Sequence, residues 1–535
     1  MLARYARAAR ATLQRQLASS STADMRRPEL WYPKARLSRR KIVYHGGPTN
    51  SGKTYHALEA LKRADPAKGG GVYAGPLRLL ALEVYERMNR AGVYCSLATG
   101  QERRDVPFAT HNSCTIEMVA LRPRWDVAVV DEIQLLGDAH RGHSWTRALL
   151  GLDAREIHVC GALDAAELVE KLAKRCGDDF ELKTYDRLTP LKCLGAPLRS
   201  WRDVRKGDCV VTFSRDDIHA VKRLVESANP GVRCCVVYGS LPPETRAEQA
   251  RLFNEPDNSY DVLVASDAIG MGLNLNIGRV LFRRVLKFGG DVAPLTDAML
   301  ATVDAAYRDD ARRLRQRPAD AGLVKQIAGR AGRMSTTFGS GGGGVTAMEP
   351  RDLEYVRRAL AKPNDAVSRA GLFPPAELLA SFAAEEGFSE DADVRELVDR
   401  FVEKADVDSS AYALAGHREM KRVHARLDLG STLPLAETVV FCTAPCNLND
   451  PFAVRMLRDY ARARAARAPC GPNVRLPKRA PDKLEDLHEL CGKHNVLDAY
   501  LWLAFRFPET FREAEAATAQ KAACIRLIEG GLANR

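Results

Sequence analysis

Gly47-Pro48-Thr49-Asn50-Ser51-Gly52-Lys53-Thr54 is the stretch from which the rest of the chain can be read. It fits the spacing G-x-x-x-x-G-K-[ST], with an apolar β-branched run, Ile42–His45, before it and a helical stretch, Tyr55–Lys62, after it. Strand, glycine-rich loop and helix in that order make a phosphate cradle. Glycines let backbone N–H groups wrap an anion, and the helix N-terminus adds positive potential. Lys53 is placed to reach the β- and γ-phosphates of ATP, and the Thr54 hydroxyl to ligate Mg2+, with Mn2+ as the alternative cation.

A bound triphosphate needs a carboxylate for its metal and a group to handle water. Val127-Ala128-Val129-Val130 ends in Asp131-Glu132-Ile133-Gln134. The carboxyl end of an apolar strand is where an α/β sheet collects ligand chemistry. Asp131 is therefore expected on the metal, and Glu132 is expected to orient or deprotonate the attacking water. Two acids after a strand read equally well as a solvated strand end; the phosphate loop upstream makes them a hydrolytic pair. Far downstream, Gln326-Ile327-Ala328-Gly329-Arg330-Ala331-Gly332-Arg333 sets two arginines three apart. That spacing sends both to one side of a helical turn, suited to fingers on a γ-phosphate.

The remaining pattern alternates β-branched runs with helical segments, which predicts parallel sheets joined by right-handed crossovers. One set of strands is Ile42–His45, Val72–Ala74, Val127–Val130 and Ile157–Cys160; the second is Cys209–Phe213, Cys234–Tyr238, Asp261–Ala265 and Val280–Phe282. The expected organisation is a first α/β lobe over 42–181, a connector over 182–207, a second lobe over 208–348 and a helical domain over 349–535. The glycine run Gly339–Gly344 reads as a flexible turn.

Of 535 residues, 80 are Lys or Arg and 68 Asp or Glu, a net charge of +12, with 46% apolar residues. This is a globular composition, and no run approaches the ~18 apolar residues of a membrane span. Residues 1–41 hold eleven Lys/Arg against Asp24 and Glu29 alone, so nine of the twelve excess charges lie there. The first 23 residues have no acid, spaced arginines and a Ser19–Thr22 cluster, the composition of an organellar transit peptide. The mitochondrial matrix is the expected destination, with plastid and nucleus as alternatives, and residues 24–41 read as a basic strap. The thirteen cysteines form no C-x-x-C pair, so dispersed thiols fit better than disulfides or zinc. Arg462, Arg464, Arg467, Arg475, Lys478 and Arg479 form one basic patch that could face nucleic acid or simply water.

Taken in order, GPTNSGKT, GPLRLLA (Gly75–Ala81), DEIQ, SDAIGMGLNL (Ser266–Leu275) and QIAGRAGR resemble the motifs of superfamily-two DExH-like helicases. WYPKAR, WTRALLGL (Trp145–Leu152), YGSLPP (Tyr238–Pro243), FCTAP (Phe441–Pro445) and VLDAYLWLAFRF (Val496–Phe507) are similar to the mitochondrial degradosome RNA helicases of the suppressor-of-Var1 type. The resemblance implies two tandem RecA-like lobes with ATP between them, RNA across the opposite face, and a helical C-terminal domain closing a tunnel. It implies that Lys53, Asp131, Glu132, Gln326, Arg330 and Arg333 serve ATP hydrolysis and that Gly272 meets nucleotide. For RNA it implies Pro76, Leu77, Arg78, Thr99, Gly100, Ser113, Thr115, Phe213, Ser214, Arg215, Ser266 and Asp267.

Three features depart from that family. Only about 40 residues precede the phosphate loop; Gly161-Ala162-Leu163-Asp164 stands where relatives tend to read GEPA; and the stretch from Leu281 to Lys325 is long. The second puts coupling of hydrolysis to unwinding in question; the third suggests an enlarged hairpin, a wedge or a loop. The expected activity is ATP-dependent translocation on single-stranded RNA and unwinding of duplexes with an overhang. The resemblance adds a 3′-to-5′ exoribonuclease partner in mitochondrial RNA turnover. A helicase acting on DNA or on both nucleic acids, or a non-catalytic RNA-binding scaffold, are the competing readings.

Overall fold

Runs such as Trp125–Val130, apolar at nearly every position, need cover on both faces, and a parallel sheet between helices supplies it. A computed structural model describes residues 22–288, 300–314, 316–334, 337–338, 341–389, 392–429 and 433–534. The expected leader lies outside the described residues apart from 22 and 23. The chain divides into two compact units: Met1–Gly46, Thr54–Thr184 and Ala366–Arg535 form one, Gly47–Lys53 and Tyr185–Asp365 the other.

The first unit is built on β1 (Lys41–Gly46), β2 (Gly71–Gly75), β3 (Cys95–Ala98), β4 (Arg103–Arg104), β5 (His111–Thr115), β6 (Trp125–Val130), β7 (Ala154–Gly161) and β8 (Asp179–Thr184). Their order is β4-β3-β5-β2-β6-β7-β1-β8, parallel except where β4 runs against β3. On one face Leu58, Leu61, Val84 and Met88 pack over Tyr73, Val127 and Val129. On the other, Ile42, Ala128, Val130 and Ile157 share a core with Trp145 and Leu149, and also with Leu379, Phe382, Leu397 and Phe401 from far along the chain. The C-terminal region is thus continuous with the first lobe's core. It is helical, as Ala376–Glu385, Val394–Lys404, Leu484–Arg506 and Ala514–Ala533 illustrate, but it also holds a parallel pair, β17 (Ala370–Leu372) with β18 (Tyr412–Leu414), that periodicity did not anticipate.

The second unit has β9 (Leu191–Cys193), β10 (Asp208–Val211), β11 (Arg233–Val237), β12 (Tyr260–Ala265), β13 (Arg279–Phe282) and β16 (Gly343–Ala347) in the parallel order β11-β12-β10-β13-β16-β9. Two expectations change here. Residues 182–207 are not a bare connector, since they supply the end of β8 and all of β9. Gly343 and Gly344 are not a surface turn but open β16. A Cβ on Gly343 would lie 2.4 Å from the Ala331 carbonyl oxygen, so only glycine allows that approach. Between β13 and Lys325, β14 (Leu286–Phe288) and β15 (Gln316–Pro318) pair antiparallel, with the helix Arg308–Leu314 between them; residues 289–299 and 315 lie outside the described residues.

The strap before β1 carries structural weight. Arg40 is buried against Asp178, donating from Nε at 3.0 Å and from Nη1 to the Leu152 carbonyl at 2.7 Å. Arg36 donates to the carbonyls of Cys176 and Leu150 at 3.0 and 2.9 Å. Removing one partner of a buried pair leaves the other charge desolvated. Asp178→Ala is expected to cost the first unit about 3–5 kcal/mol, read as a lowered urea midpoint by near-ultraviolet circular dichroism; a loss under about 1 kcal/mol, the range of an exposed pair, would contradict it.

Candidate nucleotide and nucleic-acid site

The turn after β1 passes through left-handed backbone at Asn50 (φ +60°) and Gly52 (φ +81°) before the helix Lys53–Lys62 begins. Lys53 Nζ donates to the Pro48 carbonyl at 3.0 Å across the loop. In the first unit, Thr54 Oγ1 lies 3.4 Å from Asp131 Oδ1. Asp131 is buried and held from several sides: Tyr73 donates its hydroxyl to Oδ2 at 3.0 Å, the Glu132 amide donates to Oδ1 at 3.0 Å, and Trp145 Nε1 donates to the Asp131 carbonyl at 2.9 Å. Burial, with the Asp131 charge beside it, holds the Tyr73 phenol well above its ordinary pKa, so Tyr73 stays a donor. A hydroxyl and a carboxylate oxygen side by side form a hard donor set that fits Mg2+.

Glu132 sits at φ +51°, an uncommon conformation for a residue with a side chain. That bend turns the chain out of β6 into the short helix Ile133–Gly137. Gln134 donates to the Glu132 carboxylate and accepts the Ala162 amide at 3.3 Å. The altered Gly161-Ala162-Leu163-Asp164 segment therefore reaches Gln134, and through it Glu132, by the Ala162 backbone amide, a contact that none of the three side chains differing from GEPA makes. A Cβ on Gly161 would lie 2.5 Å from Gln134 Oε1.

In the second unit the two arginines part company. Arg330 is buried, donating from Nε to the Gly270 carbonyl at 3.0 Å and from Nη1 to the Leu273 carbonyl at 2.9 Å. It braces the Ser266–Leu275 segment around Gly272 (φ +81°) instead of projecting as a finger. Gln326 lies against Gly270, and Arg333 is half-buried. Arg187, which carried no signal in the sequence, proves central. Its Nη1 donates to the carbonyls of Thr49 and Gly329 at 3.0 Å each and to Thr49 Oγ1 at 3.2 Å; Nη2 donates to the Ala331 carbonyl at 2.6 Å. It fastens the tip of the phosphate loop to the Gly329–Arg333 segment. Burial, and Arg333 beside it, hold its pKa down to about 10.

The residues expected on RNA divide into available and engaged groups. Ser113 is fully buried and donates to the Ala81 carbonyl at 2.6 Å, so it supports the site from beneath. Thr99 and Thr115 are buried too, and Thr99 N–H donates to the Glu102 carbonyl at 2.8 Å. Ser214 and Ser266 cap helices, accepting from Asp217 N at 3.5 Å and Ala268 N at 3.1 Å. Asp267 takes Lys287 at 2.5 Å. Phe213 is half-buried and Arg215 exposed. Pro76 is buried, Leu77 precedes the helix Arg78–Arg90, and Arg78 Nη1 is 3.3 Å from Asp498 Oδ2 on the helix Leu484–Arg506. One turn on, Trp502 lies where a Cβ on Gly100 would come within 3.1 Å of it, and Arg506 stacks on the Trp502 ring at 3.4 Å. Two of the expected RNA residues thus meet the C-terminal helix directly. The basic patch loses Arg464, which pairs with Glu437 at 2.6 Å and stacks on Phe507.

Family models match the chain as the DEXQ-box helicase domain of Suv3 at residues 28–185, the helicase conserved C-terminal domain at 192–335, Suv3 C-terminal domain 1 at 428–465 and the ATP-dependent RNA helicase SUV3 C-terminal domain at 487–534. It is 42% identical over 515 residues to the mitochondrial DExH-box ATP-dependent RNA helicase DExH16 of Arabidopsis thaliana, covering 95% of this chain and 83% of that one. To the human mitochondrial ATP-dependent RNA helicase SUPV3L1 it is 40% identical over 520 residues, covering 96% and 62%. The chain spans 60% of the Arabidopsis DExH18 helicase and 62% of the rice SUV3L helicase. Among solved structures, the Escherichia coli DEAH/RHA helicase HrpB matches 95% of this chain and 62% of its own at a TM-score of 0.51 and 15% identity, a likeness of fold.

Arg187→Ala is expected to weaken binding of a fluorescent ATP analogue by about tenfold or more, the cost of losing a charged fork from several carbonyls. Arg187→Lys, which keeps the charge without the fork, is expected to recover only part; unchanged affinity in both would remove Arg187 from the site.

Proposed function

Because the chain belongs to the Suv3 family of helicases, we propose that it is a mitochondrial ATP-dependent RNA helicase that translocates on a single strand and unwinds structured RNA. The observation that carries this reading is the contiguous set Thr54, Asp131, Glu132 and Gln134, linked onward to the Ala162 amide. It supplies a metal ligand pair, a carboxylate for water, and a path from that carboxylate to the next segment.

Thr54 and Asp131 would hold Mg2+, which when bound neutralises phosphate charge and fixes the triphosphate. Lys53 binds the phosphates, and Glu132, oriented by Gln134, holds the attacking water and takes its proton. Gln326 and Arg333 serve the γ-phosphate, while Arg330 keeps the Gly270–Leu273 turn in shape for them. Residues 42–181 then act as the ATP-binding lobe, 208–348 as its partner and 349–535 as the helical domain. Loss of the γ-phosphate relaxes the contacts made by Arg333 and alters the grip on the strand, a ligand-driven change between two states. The Gln134 link supports coupling despite the altered GALD sequence, since the contact uses backbone. Delivery of the unwound strand to a 3′-to-5′ exoribonuclease completes the reading.

Glu132→Gln is expected to lower RNA-stimulated ATP hydrolysis by about 10²–10⁴ with ATP affinity retained; undiminished turnover would remove Glu132 as the base. Unwinding assays on RNA duplexes with 3′ or 5′ overhangs test the activity itself. Unwinding from the 3′ overhang alone is expected; equal action on matched DNA would overturn RNA specificity, and ATP hydrolysis without unwinding would leave an uncoupled ATPase.

A further inference from the structure

Two of the sequence strings have no part in the ATP site or in the expected RNA segments: Trp31–Arg36 and Phe441–Pro445. They lie at opposite ends of the chain, yet Trp31–Ala35 and Cys442–Pro445 line the same cavity of the first unit, about 1050 Å³ in volume. Its rim adjoins the segments expected on RNA. Arg141, on the rim, donates from Nη2 to the Pro76 carbonyl at 2.8 Å and to Glu117 Oε1 at 2.7 Å, and Glu117 lies just past the end of β5.

The lining combines flat rings with cations. Trp31 and Tyr32 meet edge to face with centroids 6.5 Å apart, and Phe373 tilts against His143 at 5.9 Å. Lys34 and Arg122 are exposed on the lining and make no ion pair among the described residues; of the lining's acids, Glu117 is taken by Arg141 and Glu419 lies 3.7 Å from Arg422, while Glu377 is exposed beside Pro375. These rings are half-buried and seated on the lobe's core, and half-exposed rings beside cations left for phosphate are the chemistry of a single-strand seat. A purely apolar peptide would use the rings and have no need of the cations. We propose that this cavity binds single-stranded RNA, taking the nucleotides next to those held at Pro76–Arg78. The inference rests on the RNA-helicase reading and extends it to a second contact region.

The test is anisotropy titration of labelled oligouridylates of about six and about twenty nucleotides, one short enough for the lobe segments alone and one long enough to reach the cavity. The protein is the full chain and its Lys34→Gln/Arg122→Gln variant, both changes at exposed positions, with thermal melting as a check of folding. The variant is expected to bind the long strand about tenfold more weakly, with the slope of log affinity against log salt reduced by about 1.4, the loss of two phosphate contacts at ~0.7 each. Binding of the short strand stays as in the parent. If both strands bind the variant as they bind the parent, with the same slope, the cavity is not a strand seat. If RNA binding is intact while an associated protein is lost from the variant, the face is a protein-docking surface and the proposal is overturned. If the parent chain binds neither strand and its ATPase ignores RNA, the helicase reading fails first and this inference falls with it.

Discussion

The position of one carboxylate, Asp131, constrains the chemistry of the first unit. It stands where β6 ends, and three side chains from different elements reach it or its backbone: Thr54 from the helix after the phosphate loop, Tyr73 from β2 and Trp145 from the helix Gly142–Gly151. A buried carboxylate is costly unless its lone pairs are met, and here donors meet them in a fixed geometry. Because Asp131 cannot swing, Glu132 next to it is set by the backbone bend and by Gln134. The arrangement proposed for catalysis is thus a consequence of satisfying one buried charge.

The same logic binds the C-terminal region to the lobe. Asp498 is buried on the long helix Leu484–Arg506; burial works to raise its pKa, yet His494, Lys521 and Arg78 together hold the carboxyl below its ordinary range. Arg78 belongs to a segment expected on the strand, so a residue that would touch phosphate also fixes the helix beside it. Trp502, one turn further, closes on Gly100. These contacts set the helix beside segments expected on the strand, while Leu379, Phe382, Leu397 and Phe401 join Trp145 in the core of the same unit.

Legibility followed the physics of each element. β1, β6, β7 and the strands β10 to β13 were readable because buried parallel strands are continuous apolar runs. β3 and β5 (CSLA and HNSCT) were missed: their polar atoms are satisfied internally, as with Ser113 to Ala81 and Cys114 to the Tyr73 carbonyl. β16 was missed because it opens on glycine, where the absence of a side chain is the requirement. The phosphate loop and the Asp131–Glu132 pair were legible as chemistry at fixed spacing. Arg187 was not, because apart from the nearby Thr189 carbonyl its partners are oxygens of Thr49, Gly329 and Ala331, brought together only by folding. Arg330 was legible as an arginine in the right segment, but its carbonyl partners, and so its bracing role, were not.

Net charge shows the same limit from the other direction. Most of the +12 lies before the phosphate loop, and composition alone assigns it to a leader and a solvated strap. Arg36 and Arg40 instead spend their donors on Asp178 and on carbonyls that end a helix and a strand connection, so part of the apparent charge is structural. Lys34, two residues before Arg36, is exposed. Within one short basic segment, burial separates the arginines that hold the lobe together from the lysine that can meet a phosphate. What distinguishes them is the carbonyls each can reach once the strap has packed, a property of the fold that no count of charges contains.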